Sequence, residues 1–158
     1  MEIYVDIDEP FVAKINADRL HAAVLATLEQ TRAGGSSLAV SVTDADTVQE
    51  LNRQYRGIDA PTDVLSFENT PDPDFPQMPA PDLLGHLGDI VIAYPVAEKQ
   101  AQAGGHTPMD EVLLLAIHGT LHLLGLDHDT AESKARMWSI QSAVLGQLGL
   151  AHVQPTEA

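Results

Sequence analysis

The sequence predicts one α/β (α+β) domain over residues 1–158, with a mixed sheet of about four strands and about five helices, one of them central and buried. Three observations carry this expectation. Apolar residues alternate at Ile3, Val5, Ile7 and again at Leu38, Val40, Val42, the period of strands half buried against a core. Between and after these strands lie stretches of helical period, punctuated by proline at starts and glycine at stops. The run from Val112 to Ile117 is apolar nearly all round, as expected of a helix covered on every side.

Composition narrows the function classes. The chain has 158 residues, 23 acidic and 8 basic, for a formal net charge of −15. A chain of this length buries roughly 70% of its unfolded surface, enough for one core. There is no cysteine, which excludes disulfide scaffolds, thiolate catalysis and sulfur-ligated zinc. The start, Met-Glu-Ile-Tyr-Val-Asp, lacks the basic n-region and apolar stretch of a signal peptide. The longest apolar run falls far short of the ~20 residues of a membrane helix. A soluble protein with no membrane partner is expected, and the absence of cysteine suits a cytosolic one. Its acidity repels nucleic acid globally, but a Debye length of about 8 Å lets a local cleft act independently of distant charge.

In chain order, the first strand holds Ile3, Val5 and Ile7. A helix follows Asn16, with Leu20, Val24 and Leu28 on one face and a stop expected at Gly34-Gly35. The second strand holds Leu38, Val40 and Val42. Asp46 and Gln49 have capping-box spacing for a helix carrying Val48, Leu51 and Tyr55, with Gly57 just past its end. Asp63 to Phe67 is a short strand. Residues 69–86 form a surface loop, because five of the ten prolines fall between Pro71 and Pro81 and proline removes backbone donors. Asp89 to Ala93 reads as a buried strand, and Pro95 opens a helix ending at Gly104-Gly105. Thr107-Pro108, with Asp110 at the third position, is a strong start for the buried helix, which Gly125 can end. A last amphipathic helix opens at Asp129, with Glu132 in capping-box position and Met137, Ile140, Val144 and Leu148 on its face.

The buried helix runs into His118-Gly-Thr-Leu-His122-Leu-Leu-Gly-Leu-Asp-His128. His118 and His122 lie four residues apart, so their rings share a helix face. Gly125 lets the chain turn back so that His128 closes a third corner. Three imidazoles with an open fourth position are the pattern of a catalytic zinc site, and one Zn2+ is expected. The bland alternative, three unrelated histidines, fits this spacing in a cysteine-free chain poorly. The spacing equals that of the metzincin proteases, except that Gly119 replaces their general-base glutamate. Glycine costs about 1 kcal/mol inside a helix, so its missing side chain leaves room either for substrate or for close packing. His21, His86, His106 and His152 lie outside the motif and read as surface or loop residues.

This motif resembles the signature of the YbeY family of bacterial rRNA-maturation endoribonucleases. Two further blocks agree: Leu51-Asn-Arg-Gln-Tyr-Arg56-Gly-Ile-Asp59-Ala-Pro-Thr-Asp63-Val-Leu-Ser-Phe67, and Leu87-Gly-Asp89-Ile-Val-Ile92. The resemblance implies a zinc-dependent endoribonuclease acting in the cytoplasm on 16S rRNA precursor, in 3′-end maturation and ribosome quality control. Single-stranded RNA is the expected substrate form, because splayed strands reach a narrow cleft more easily than a duplex. It also implies contact with ribosomal subunits or assembly proteins, zinc ligation by His118, His122 and His128, and a catalytic role for Arg56. Arginine's planar fork suits bidentate phosphate contact, although a helix-end cation is also favoured by the macrodipole alone. Asp63 and Asp89 are candidates to orient a ligand histidine, although a turn or strand-end role suits each of them better. Asp127, beside His128, is a candidate to orient that ring or to take up a proton. The nucleophile is either a metal-activated water or the RNA 2′-hydroxyl. The rivals are a zinc peptidase or amidase, and a non-catalytic ribosome-assembly factor with a structural zinc.

Overall fold

The computed structural model describes residues 2–33, 36–68, 86–127 and 129–153. Strands β1 (Ile3–Ile7), β2 (Ser37–Thr43), β3 (Val64–Glu68) and β4 (His86–Ala93) form one sheet of order β1-β2-β4-β3. β1, β2 and β4 run parallel, and β3 joins β4 antiparallel at the edge. Helices α1 (Ala17–Gln30), α2 (Ala45–Arg56), α3 (Tyr94–Gly104), α4 (Pro108–Leu123) and α5 (Ala131–Gln147) surround it. A 3-10 turn over Glu9–Lys14, not anticipated from the sequence, links β1 to α1. Among the described residues no helix is long and apolar enough to cross a membrane. The mixed sheet and central helix are as predicted.

Side-chain alternation divides the sheet into two unequal faces. Leu38, Val40 and Val42 of β2, with Ile90 and Ile92 of β4, pack in the main core with residues of α1, α4 and α5. The opposite face is covered at its β3–β4 end by α2, through a smaller cluster of Val48, Leu65 and Ala93 with Leu51, Phe67 and Val91 against it. Consequently Ser66 and Ile90 look toward α4, and Leu65, Phe67 and Val91 toward α2. β4 also begins earlier than the Asp89 expected. Its pairing slips between Ser37 and Ala39, and Gly88 has φ 144° with a position where a Cβ would lie 2.0 Å from the Phe67 carbonyl oxygen. Only glycine fits there, and the irregularity lets the strand extend back to His86.

Local signals placed the elements well and their caps less well. Thr107 caps α4, accepting from the Asp110 N–H at 3.1 Å, as predicted. α2 is capped by Asp44, which accepts from the Thr47 N–H at 2.7 Å, rather than by Asp46. β2 runs to Thr43, so the chain must turn at once. The Asp44 carboxyl is held below the usual carboxylate range by the Thr47 N–H and then by the Thr47 hydroxyl. α5 is capped by Thr130, not Asp129, through the Ser133 N–H at 3.0 Å. α1 stops at Gln30 with Arg32 at φ 62°. The Ala33 N–H returns to the Leu28 carbonyl at 2.7 Å, closing the helix before the two glycines, which lie outside the described residues. The Pro/Asp-rich stretch 69–85 also lies outside them.

Candidate active site

The apolar face of α4 fixes the axis on which the site is built. After His122 the helix closes in a Schellman motif. The Gly125 N–H bonds to the His122 carbonyl and the Leu126 N–H to the Leu121 carbonyl, each at 3.0 Å, with Gly125 at φ 90°. His118 and His122 are half buried, with ring centroids 4.6 Å apart and Nε2 atoms 3.0 Å apart. That separation is shorter than two zinc–nitrogen bonds of about 2.0–2.1 Å, so the pair can share one small cation. Among the described residues no third His, Cys, Asp or Glu completes a ligand cluster. His128, the third histidine of the motif, lies outside the described residues.

A residue missed by the sequence reading sets the orientation of His118. Gln141 of α5 is 1% exposed, and its Oε1 lies 3.1 Å from His118 Nδ1. A carbonyl oxygen there accepts the Nδ1–H, leaving the lone pair on Nε2 toward His122. The Trp138 ring stands edge-on to His118 at 5.7 Å. The signal was present: Gln141 falls on the apolar face between Met137 and Val144, and a polar residue buried there needs a partner.

The two histidines open into a cleft of about 500 Å3 whose walls include Arg56, Asp63, Ser66, Glu68 and Asp127. Arg56, at the end of α2, reaches across the edge strand: its Nη2 donates to the Ser66 carbonyl at 2.6 Å. Its guanidinium lies 5.9 Å from the Phe67 ring centroid. A guanidinium has five donors, so this bond anchors Arg56 without exhausting it. Asp63 Oδ1 accepts from the Val64 N–H at 2.8 Å, a turn role at the entrance to β3. Asp127 is exposed on the cleft wall. Asp89 is not brought to the histidines. It alternates with Ile90, is 59% exposed, and lies 3.9 Å from His86.

Gly119 serves packing. A Cβ there would lie 2.9 Å from Ile90 Cγ2 and 3.1 Å from Ser66 Oγ. The glycine lets α4 approach the sheet closely, and it offers no space to substrate. A glutamate in its place would point at the β-sheet, so the metzincin scheme is closed to this chain sterically as well as chemically. His106 also departs from the sequence reading. Its side chain is 1% exposed, and Nε2 lies 2.6 Å from Glu111 Oε1, itself fully buried. The turn between α3 and α4 folds the ring inward, where Glu111 in the first turn of α4 meets it. Burial pushes the Glu111 carboxyl above its usual range, and the His106 hydrogen bond offsets this only in part.

Residues 6–149 match the family described as Endoribonuclease YbeY. An Endoribonuclease YbeY of Moorella thermoacetica is 48% identical over 121 residues, 75% of this chain and 76% of that protein. One of Dehalococcoides mccartyi is 42% identical over 154 residues, 92% of this chain and 95% of that protein. A solution structure from Thermotoga maritima matches with a TM-score of 0.57 at 25% identity, covering 99% of both chains. The helix-borne histidine pair, the arginine crossing from α2 and the edge strand between them thus occur in a chain that belongs to the YbeY family of endoribonucleases.

Proposed function

We propose that this protein is a zinc-dependent endoribonuclease that cuts single-stranded RNA, acting in the cytoplasm on the 3′ end of 16S rRNA precursor and in ribosome quality control. Ribosomal subunits or assembly proteins are its partners in this reading. Family membership supports RNA hydrolysis. The observation that carries the metal is the convergence of His118 and His122 Nε2 at 3.0 Å in a cleft that Arg56 also lines. Electrostatics supports it too. Among the described residues Asp63, Glu68 and Asp127 outnumber Arg56 on the cleft wall, so a phosphodiester enters more readily when a cation offsets the carboxylates.

His118 and His122, together with His128, would hold one Zn2+. Bound there, zinc would supply Lewis-acid stabilisation of negative charge at the scissile phosphate. The protein's own groups do the remaining work. Arg56 clamps a non-bridging phosphate oxygen with donors not given to Ser66. Gln141 keeps the His118 lone pair on Nε2. Asp127, exposed at the cleft wall, takes up the proton released by the attacking hydroxyl. An open cleft suits splayed single strands, whose backbone bends into it more easily than a duplex.

The test is zinc content measured alongside cleavage of a single-stranded 16S 3′-end RNA, with and without chelator. Zinc near one per chain and chelator-sensitive cleavage are expected. Arg56→Ala should keep its zinc and lose about 10²–10³-fold in rate, and Arg56→Lys should recover part of it. Chelator-insensitive cleavage overturns the metal, and a wild-type rate in Arg56→Ala reduces Arg56 to a helix-end cation.

A further inference from the structure

Seven side chains are aromatic, one Trp, three Tyr and three Phe, and two of them meet beside the cleft. Tyr55 is 67% exposed, more than any other large hydrophobic residue among those described. Its ring sits at 67° to that of Phe67, centroids 5.5 Å apart. Phe67 is held below by the α2 cluster of Val48 and Leu65. It is flanked by the Arg56 guanidinium, itself fixed to the carbonyl of Ser66. Beyond Gly57, Ile58 is 54% exposed as well. Among the described residues α2 is anchored through Val48 and Leu51, and Tyr55 adds to this only its edge contact with Phe67.

We infer that Tyr55, backed by Phe67, is a stacking site for an unpaired nucleobase of the RNA whose phosphate Arg56 contacts. This rests on the RNA reading above and adds a base subsite to it. Two arguments select a nucleobase as occupant. First, a nucleotide carries base and phosphate on one sugar, and here a free π-face and a guanidinium stand on consecutive residues at the cleft rim. Second, the chain has few cations to spend on phosphates. It carries −15 in all, and nearby Arg53 is occupied by Glu50, whose carboxyl that contact holds down at about 2. Affinity must therefore come from a source that does not scale with phosphate neutralisation, and base–aromatic stacking is such a source. Stacking also demands a base that is out of a duplex, so Tyr55 would help select single strands.

The experiment is steady-state cleavage of a short single-stranded RNA by the zinc-loaded wild type and by Tyr55→Ala, Tyr55→Leu and Tyr55→Phe, with thermal melts of each. Truncating so exposed a ring should leave the melts nearly unchanged. KM should rise about tenfold or more in Tyr55→Ala and Tyr55→Leu, with kcat within about twofold, and Tyr55→Phe should restore the wild-type KM. If the wild type cleaves and Tyr55→Ala keeps its KM, the base site is wrong and the RNA reading stands. If Tyr55→Leu performs as well as Tyr55→Phe, the residue is an apolar contact, as a protein partner would use, and the stacking inference fails. A wild type that neither cleaves nor binds RNA overturns both.

Discussion

The two ends of α4 carry the same kinds of side chain to opposite effect. At the N-terminal end His106 and Glu111 form a sealed pair, 1% and 0% exposed, with His106 Nδ1 and Glu111 Oε2 buried without hydrogen-bond partners among the described residues. At the C-terminal end His118 and His122 turn their Nε2 atoms toward each other and into an open cleft. Glu111, His118 and His122 follow one stripe of the helix at spacings of seven and four. What separates the two ends is access. A histidine buried against a carboxylate binds α3, the turn and α4 together, whereas His118, its Nδ1 held by Gln141, turns its Nε2 toward His122 at the cleft. The same residue type is sealed at one end and faces an open cleft at the other.

The largest expected effect breaks the helix into these halves. His118→Ala and His122→Ala should both abolish cleavage and zinc uptake. His122→Ala, which orphans no buried group among the described residues, should shift the stability of metal-free protein by less than about 1 kcal/mol. His106→Ala should do the reverse. It leaves Glu111 buried without its partner, at a cost of about 1–3 kcal/mol, with cleavage per folded molecule unchanged. Urea denaturation, zinc analysis and RNA cleavage on the three variants decide it. An inactive but fully stable His106→Ala would erase the distinction.

A smaller effect sharpens the chemical end. Gln141→Leu conserves volume but removes the acceptor from His118 Nδ1. Zinc affinity, read by competition with a chelator, should fall about 10–100-fold. Gln141→Glu keeps an acceptor and should bind zinc more nearly as the parent does. Unchanged affinity in Gln141→Leu would mean that packing alone orients His118.

The smallest effect belongs to the sealed end and to pH. Glu111 titrates at about 4.5 when unfolded and higher when folded. Between those values the folded state holds the extra proton, so stability present below pH 4.5 is lost as pH rises through the folded value. Glu111→Gln cannot titrate, so its stability relative to wild type should grow over that window. Denaturation across acidic to neutral pH measures the difference, and a gap independent of pH would show that burial does not govern this carboxyl.

Local rules set much of what was legible in the chain. Alternation gave β1 and β2 and helical period gave the five described helices, because burying one face imposes that periodicity on any sequence, whereas β4 was read from an unbroken apolar run. The histidine spacing gave a shared helix face, because 3.6 residues per turn puts positions four apart on one side. Caps were misassigned where two candidates lay within two residues, at Asp44 and Asp46 and at Asp129 and Thr130, because the choice depends on where the preceding segment delivers the chain. Other features belong to tertiary structure alone. The sequence left Gly119 between substrate space and close packing, and only the approach of Ile90 and Ser66 decided for packing. It showed Gln141 as a polar residue on an apolar face, and only the packing of α5 on α4 brought it to His118 Nδ1. It placed Arg56 at a helix end, and only the antiparallel edge strand brought that end beside the histidines. His106 read as a loop residue because exposure is set by what folds over a turn, and that depends on contacts between segments that periodicity does not encode.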